Sequence, residues 1–158
     1  MKQEKKQKQV QPKKVEEGLS YTVEVRDKEG KVIQRISAPS RSYVKAWNQI
    51  LNIHAAQASK SVITTAGTPY NLPKGNKSLN INAGVGSLFG IVVGKGTTAV
   101  AIDDYALESL CGEGTGTDEF NYQGVGNTVP AVVGPTCSFT LSRLMVNNSG
   151  VSISVTET

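Results

Sequence analysis

The stretch TCSFTLSRLMVNNSGVSISVTET, residues 136–158, contains two alternating runs of side chains joined by a short polar turn. Alternate residues of a strand point to the same face, so each run presents one mainly apolar face. Asn147 and Asn148 tolerate the left-handed backbone conformation and Gly150 adopts it freely, which favours a turn at NNSG. The pattern predicts a strand over Thr136–Val146 and a returning antiparallel strand over Val151–Thr156.

The returning strand carries neither charge nor Pro, the two features with which monomeric proteins normally protect a sheet edge. Leu144 and Val146 lie on the outer face of the first strand, where a solitary subunit would leave them wet. We therefore expect this edge to be exposed or completed by another chain. The interface candidates are Leu144, Val146, Val151, Ile153 and Val155.

Similar β-branched runs, separated by Gly- and Asn-containing turns, follow one another from Ser61 onwards. This spacing is typical of an antiparallel β-sandwich or barrel. DDYALESL, residues 103–110, favours one or two helical turns because an Asp can cap a helix start. The other candidate strands are Val62–Ala66, Ser78–Asn82, Leu88–Val93, Thr97–Ile102, Glu119–Gln123 and Thr128–Val133.

Two other elements precede these strands. YTVEVRDKEGKVIQRIS, residues 21–37, predicts a β-hairpin that turns at Glu29-Gly30. From about residue 41 to 57 apolar side chains recur every three or four positions, which predicts one amphipathic helix with Ser40 or Ser42 as its N-cap. The side chains predicted to pack this helix onto a sheet are Val44, Trp47, Ile50 and Leu51.

Residues 1–17 are rich in Lys, Gln and Glu, and they bury too little apolar area to offset the entropy of ordering. We predict a disordered basic arm over 1–17 and a single mostly β domain over 18–158. Within that domain, residues 18–60 form the hairpin and helix, and residues 61–158 form the sandwich part. The lysines of the arm suit either nucleic-acid phosphates or an acidic protein partner; they are Lys2, Lys5, Lys6, Lys8, Lys13 and Lys14.

Charge is distributed unevenly along the domain as well. Residues 18–77 contain nine Lys or Arg against three acidic residues, whereas residues 95–158 contain two against seven. Opposite patches of this kind attract one another and can orient one copy against the next.

No pattern in the sequence indicates catalysis or cofactor binding. GIVVGKGTT departs from the phosphate-loop pattern, in which Gly-Lys is followed by Ser or Thr and opens a helix. His54 is the only imidazole base for Cys111 or Cys137, and it lies on the predicted packing stripe of the helix. We therefore predict a protein that is not an enzyme, with no catalytic residue, no metal site, no cofactor and no membrane segment.

The second half of the chain resembles virion proteins of tailed bacteriophages, of the decoration, head-fibre or tail-associated type. The likeness covers residues 88–158 and is carried by LFGIVVGKGTTAVAIDDYALESL, FNYQGVGNTVPAVV and TCSFTLSRLMVNNSGVSISVTET. The resemblance implies a non-enzymatic structural component that is made in the host cytoplasm and resides in the virion. Its implied partners are other copies of itself and other virion proteins.

Two other functions remain open from the residues alone. One is a β module that binds carbohydrate or a host surface, for which Tyr70, Tyr105 and Tyr122 are the aromatic candidates. The other is a nucleic-acid-binding protein that works through the basic arm.

Overall fold

The computed structural model describes residues 18–40, 43–75 and 83–157, and most of the regular structure in these ranges is strand. The predicted mainly β chain with one amphipathic helix is confirmed. The elements are β1 (Leu19–Arg26), β2 (Val32–Ser40), α1 (Lys45–Ala56), β3 (Lys60–Ile63), β4 (Pro69–Leu72), β5 (Gly112–Glu113), β6 (Glu119–Asn127), β7 (Ala131–Val133), β8 (Thr136–Ser138) and β9 (Leu141–Val146). Within the described ranges they form four small open sheets: β1-β2, β3-β4, β5-β6-β9 and β7-β8.

The chain divides into two compact units between residues 42 and 43. The first contains the predicted hairpin of β1 and β2, which pair antiparallel. Asp27 organises its turn because one carboxylate oxygen accepts bonds from the backbone amides of Glu29 (3.1 Å) and Lys31 (2.8 Å). Gly30 supplies the positive φ of 83° that the turn requires. The helix belongs to the second unit, together with the later strands.

The helix packs on β3 through fewer side chains than its stripe predicts. Ile53, which lies three residues beyond Ile50, is completely buried and forms a small core with Val62 and Leu72. Ile50 packs against this core, whereas Trp47 and Leu51 each remain more than one third exposed.

The predicted serine N-cap of α1 is wrong. Val44 occupies the cap position, and its side chain makes no capping hydrogen bond. A carbonyl from a distant segment takes that role instead, because the backbone amide of Lys45 donates to Ile102 O at 2.7 Å. The start of the helix is thus determined by a tertiary contact rather than by a local side chain.

The larger core of the second unit lies under the three-stranded sheet. It consists of Val93, Cys111, Phe120 and Tyr122, and the rings of Phe120 and Tyr122 meet edge to face at 6.2 Å. The flanking side chains Val92, Met145 and Ile153 pack against it.

Several predicted elements in the second unit are irregular segments instead. Residues 88–93, 97–102 and 151–156 are not strands, and residues 103–110 form no helix. The predicted NNSG turn is present, since Asn147 Oδ1 accepts bonds from the amide of Ser149 (3.0 Å) and from its hydroxyl. Beyond it the chain does not return along β9 but runs to Gly94, where Glu157 forms an isolated antiparallel bridge. The candidate strand Ser78–Asn82 lies outside the described residues.

Candidate functional site

Strands β6 to β9 form a long hairpin in the second unit, in which β6 pairs with β9 and β7 pairs with β8. Asn127 pairs with Leu141, and the amide of Thr128 then donates to Thr140 O at 3.0 Å, so the β6-β9 ladder continues towards β7 and β8. We name residues 128–140 the distal hairpin. Every residue from 126 to 140 is exposed, and no residue from 120 to 142 is charged. The distal hairpin is therefore an uncharged, fully exposed extension of the sheet.

Apolar side chains lie on both faces of the distal hairpin. Val132 pairs with Cys137, and Val133 pairs with Thr136, so the two adjacent valines point to opposite faces. Val132 is 74% exposed, and three other large apolar side chains of this segment are more than half exposed: Val129, Val133 and Phe139. Among the described residues, none covers either face of this hairpin.

A second exposed apolar surface is the segment 83–91, which we name the shelf loop. Its sequence AGVGSLFGI contains no charge. Leu88 is 87% exposed, and Val85 and Phe89 are nearly as open. Gly90 has φ 82°, and a side chain there would come within 2.7 Å of Val125 and 2.8 Å of the Ala83 side chain. The loop thus lies so close to the sheet that only glycine fits at this position.

Arg143 of β9 holds the shelf loop in place. A guanidinium group has five N–H bonds. In Arg143 the Nε, Nη1 and Nη2 atoms all donate to backbone carbonyl oxygens rather than to a carboxylate. Its plane also lies over the Tyr122 ring, with the guanidinium carbon 4.9 Å from the ring centroid. The acceptors are the carbonyl oxygens of Gly84 (2.9 Å), Gly86 (2.5 Å), Phe89 (2.8 Å), Ile91 (2.9 Å) and Gln123 (2.7 Å).

Tyr122 connects Arg143 to the core. Its side chain is 1% exposed, and its hydroxyl donates to Cys111 O at 2.6 Å. Burial raises the pKa of the Tyr122 hydroxyl, and burial likewise raises the pKa of the Cys111 thiol. The Tyr122 ring therefore works as a support beneath Arg143 and is not available to stack on a sugar.

The turn GKGTT, residues 94–98, binds carboxylates of its own chain. Glu157 accepts hydrogen bonds from the amides of Gly96 (3.2 Å) and Glu108 (2.8 Å). Glu108 in turn accepts from the amides of Thr97 (2.9 Å) and Thr98 (3.0 Å), and the Thr98 amide is the main cause that lowers the pKa of Glu108. The amides that a phosphate loop would direct at a ligand are thus already occupied.

The predicted interface residues lie in different environments. Leu144 is 62% exposed, and Val151 and Val155 are also open to solvent. Val146 is partly buried, and Ile153 packs against the larger core. The six lysines of the N-terminal arm lie outside the described residues.

His54 and Tyr70, the candidates for base catalysis and for sugar binding, both lie in regular elements. His54 lies in the last turn of α1, and its Nε2 atom is buried and has no hydrogen-bond partner among the described residues. Tyr70 lies in β4 and is nearly half exposed. Within residues 18–40, 43–75 and 83–157, no three His, Cys, Asp or Glu side chains form a group that could hold a metal ion. In the same ranges no helix has the length and apolarity to cross a bilayer.

The role of Arg143 was not predicted, although the sequence contains a signal for it. Arg143 is the only charged residue between Glu119 and Glu157, and it lies on the inward face of the predicted strand. An isolated charge on an apolar face requires partners, and backbone carbonyls are suitable ones. No sequence signal indicated that the shelf loop is exposed, because Leu88 and Phe89 belong to the run Leu88–Val93, which also fits a strand.

No protein-family model, no curated protein and no solved structure matches this chain.

The two cysteines provide a check on the core and on the distal hairpin. Cys111 is fully buried and Cys137 is exposed, and both are free thiols. Because the thiolate is the reactive form and burial raises the pKa of Cys111, we expect the native chain to react rapidly with a thiol reagent only at Cys137. Titration with a chromogenic disulfide should give one fast thiol in buffer and two in guanidinium chloride. Cys137→Ser should abolish the fast phase, and rapid reaction of both native thiols would contradict the burial of Cys111.

Proposed function

We propose that this protein is a non-enzymatic structural component of a phage virion, of the capsid-decoration, head-fibre or tail-associated type, and that it acts by packing against other subunits. The observation that carries the proposal is that exposed large hydrophobic side chains outnumber buried hydrophobic ones. Within the described residues, nine hydrophobic side chains are buried, whereas twenty-four large hydrophobic side chains are exposed. Where such side chains follow one another closely, as in the distal hairpin and in the shelf loop, exposed apolar surface marks a site of protein association.

Association would remove this surface from water. Each square ångström of apolar area so covered contributes about 25 cal/mol before the entropic cost of association is subtracted. Unpaired strand edges add hydrogen-bonding capacity, and β9 is at the edge of its sheet. We infer that the open sheets become layers of an antiparallel β-sandwich or barrel when neighbouring copies contribute strands. The resemblance of residues 88–158 to phage virion proteins supports the same function.

Assembly of the purified protein is the first test. We expect light scattering coupled to size exclusion to show defined oligomers whose fraction rises with concentration. Negative-stain images should then show rings, trimers or longer arrays. A sharp monomer at the highest soluble concentration would contradict a function based on packing between copies.

Location in the particle is the second test. Purified virions of the phage that encodes the chain should contain it in many copies, measured by quantitative mass spectrometry against a major capsid protein. Its presence in the infected lysate together with its absence from purified particles would overturn the assignment to the virion.

A further inference from the structure

We propose that the distal hairpin of one copy docks on the shelf loop of the next copy, so that subunits join head to tail. This inference rests on the proposed function, since it names the surfaces through which the subunits would pack. It starts from two apolar surfaces that lie in the same unit. Neither covers the other within one copy, because Val85, Leu88 and Phe89 of the shelf loop and the four large apolar side chains of the distal hairpin are more than half exposed.

Both surfaces are uncharged. The distal hairpin lies within an uncharged run over residues 120–142, and the shelf loop lies within an uncharged run over residues 83–94. Contact between them would desolvate no ionised side chain of either segment, and burial of an unpaired charge is the main cost that such a contact must avoid. Nucleic acid or a strongly charged protein would find no countercharge on either surface. A second copy of this chain offers the complementary uncharged surface.

The contact would be small and apolar. Seven large exposed apolar side chains are divided between the two surfaces, three on the shelf loop and four on the distal hairpin, and a covered aromatic side chain alone removes roughly 150–250 Å² from water. Because Val132 and Val133 point to opposite faces of the hairpin, one docked copy covers only one of them, so each partner contributes less than the ~800 Å² of a standard interface and the contact suits an assembly in which it is repeated. The seven are Val85, Leu88, Phe89, Val129, Val132, Val133 and Phe139.

The two surfaces also differ in rigidity. The shelf loop is fixed by the hydrogen bonds of Arg143 to its backbone and by the close approach of Gly90 to the sheet. The distal hairpin is a two-stranded extension, which is only marginally stable until a further layer or strand covers it. A preformed shelf loop lowers the entropic cost of docking, because only the hairpin then has to gain order.

A contact between two different surfaces is heterologous. Repetition of one heterologous contact closes into a ring or continues as a filament, whereas pairing of identical surfaces stops at a dimer. Head-to-tail docking thus predicts oligomers of more than two subunits. An oligomer that does not close into a ring keeps one free distal hairpin at one end and one free shelf loop at the other.

Two charge variants test the proposal. Val132→Glu places a carboxylate on the distal hairpin, and Leu88→Glu places one on the shelf loop; both side chains are exposed, so folding should be unaffected. We expect each variant to weaken self-association by roughly a hundredfold or more, the cost of a buried charge without a partner. Val100→Glu, an exposed valine outside both surfaces, is the matched control and should assemble like the original chain. Circular dichroism and a melting curve confirm folding of all three.

Mixing the two variants provides the decisive measurement. The Val132→Glu chain retains an intact shelf loop and the Leu88→Glu chain retains an intact distal hairpin. Their mixture should therefore form a dimer with a single intact contact and nothing larger. Failure of the Leu88→Glu change to affect assembly, while Val132→Glu abolishes it, would show pairing of hairpin with hairpin and would overturn the proposal.

Cross-linking provides a readout that does not depend on the charge variants. Cys137 is a native exposed thiol on the distal hairpin, and Ser87→Cys adds one beside Leu88 without changing it. A short bis-maleimide should then join different copies into a ladder, and Cys137→Ser should eliminate the ladder. Dimers alone, formed without the Ser87→Cys change, would again indicate hairpin-to-hairpin contact and contradict the proposal.

The outcomes separate this inference from the proposed function. If the original chain assembles and all three glutamate variants assemble equally well, the docking of hairpin on shelf loop is wrong while assembly itself stands. If the original chain is monomeric under all conditions, both proposals are wrong.

Discussion

Replacement of Arg143 by Met is expected to lower the free energy of unfolding of the second unit by about 3–5 kcal/mol, a loss that is exceptional for a single substitution. The guanidinium donates to five backbone carbonyls, and a hydrogen bond to a charged group contributes about 1.5–3 kcal/mol. The bonds share one side chain, so their contributions do not simply add. Methionine preserves the aliphatic stem but removes all five donors, and it leaves the two partly buried carbonyls, those of Gly86 and Ile91, without this donor.

Denaturant titration measures this loss, and hydrogen exchange locates it. We expect the amides of residues 83–91 to lose protection first, because Arg143 holds the carbonyls of that loop. Arg143→Lys retains the charge but not the planar fork, so it should recover only a minor part of the lost stability. Lys95→Met is the control in the same unit: it breaks the partly exposed ion pair with Asp118 and should cost less than about 1 kcal/mol. A cost for Arg143→Met within the range of this control would contradict the structural role of Arg143.

Truncation of Tyr122 to Ala is expected to cost about 3–5 kcal/mol, as for other large aromatic side chains removed from a core. The ring is buried, packs edge to face on Phe120 and lies beneath Arg143. Tyr122→Phe removes only the hydroxyl, which leaves Cys111 O without its donor, and should cost about 1–2 kcal/mol.

Comparison of the two Tyr122 variants separates packing from hydrogen bonding. Tyr70→Ala, at a half-exposed aromatic residue in β4, is the control and should cost far less than Tyr122→Ala. A double-mutant cycle between Arg143→Met and Tyr122→Ala should give a coupling energy of about 0.5–3 kcal/mol, because the two side chains are in contact. Equal losses for Tyr122→Phe and Tyr122→Ala would show that the ring itself contributes little.

The elements that could be predicted are those encoded locally. The hairpin around Asp27 and Gly30 follows from alternation and a turn sequence, and the helix follows from its three-and-four spacing. The strands that became β6 and β9 follow from the same reasoning. In each case the hydrogen-bond partners lie close in the sequence or in the adjacent strand.

The remaining structure depends on contacts between distant residues. Arg143 binds carbonyls that precede it by more than fifty residues, and these bonds hold residues 83–91 as a loop that includes the start of the predicted strand Leu88–Val93. Residues 151–156 also read as a strand, but Glu157 binds the amides of Gly96 and Glu108 and draws the chain away from β9. Local propensity is too weak to predict such outcomes, because tertiary context routinely overrides it.

Acidification should affect the carboxylate of Glu108, which accepts from backbone amides, but not the guanidinium of Arg143, which donates to backbone carbonyls. As the pH falls through the lowered pKa of Glu108, its carboxylate takes up a proton and the amides of Thr97 and Thr98 lose their charged acceptor. An arginine guanidinium does not release its proton in proteins, and its acceptors here are carbonyls that do not titrate. Acid should therefore loosen the turn at residues 94–98 while the loop bound by Arg143 keeps its shape, so the same subunit combines an acid-sensitive segment with an acid-resistant one.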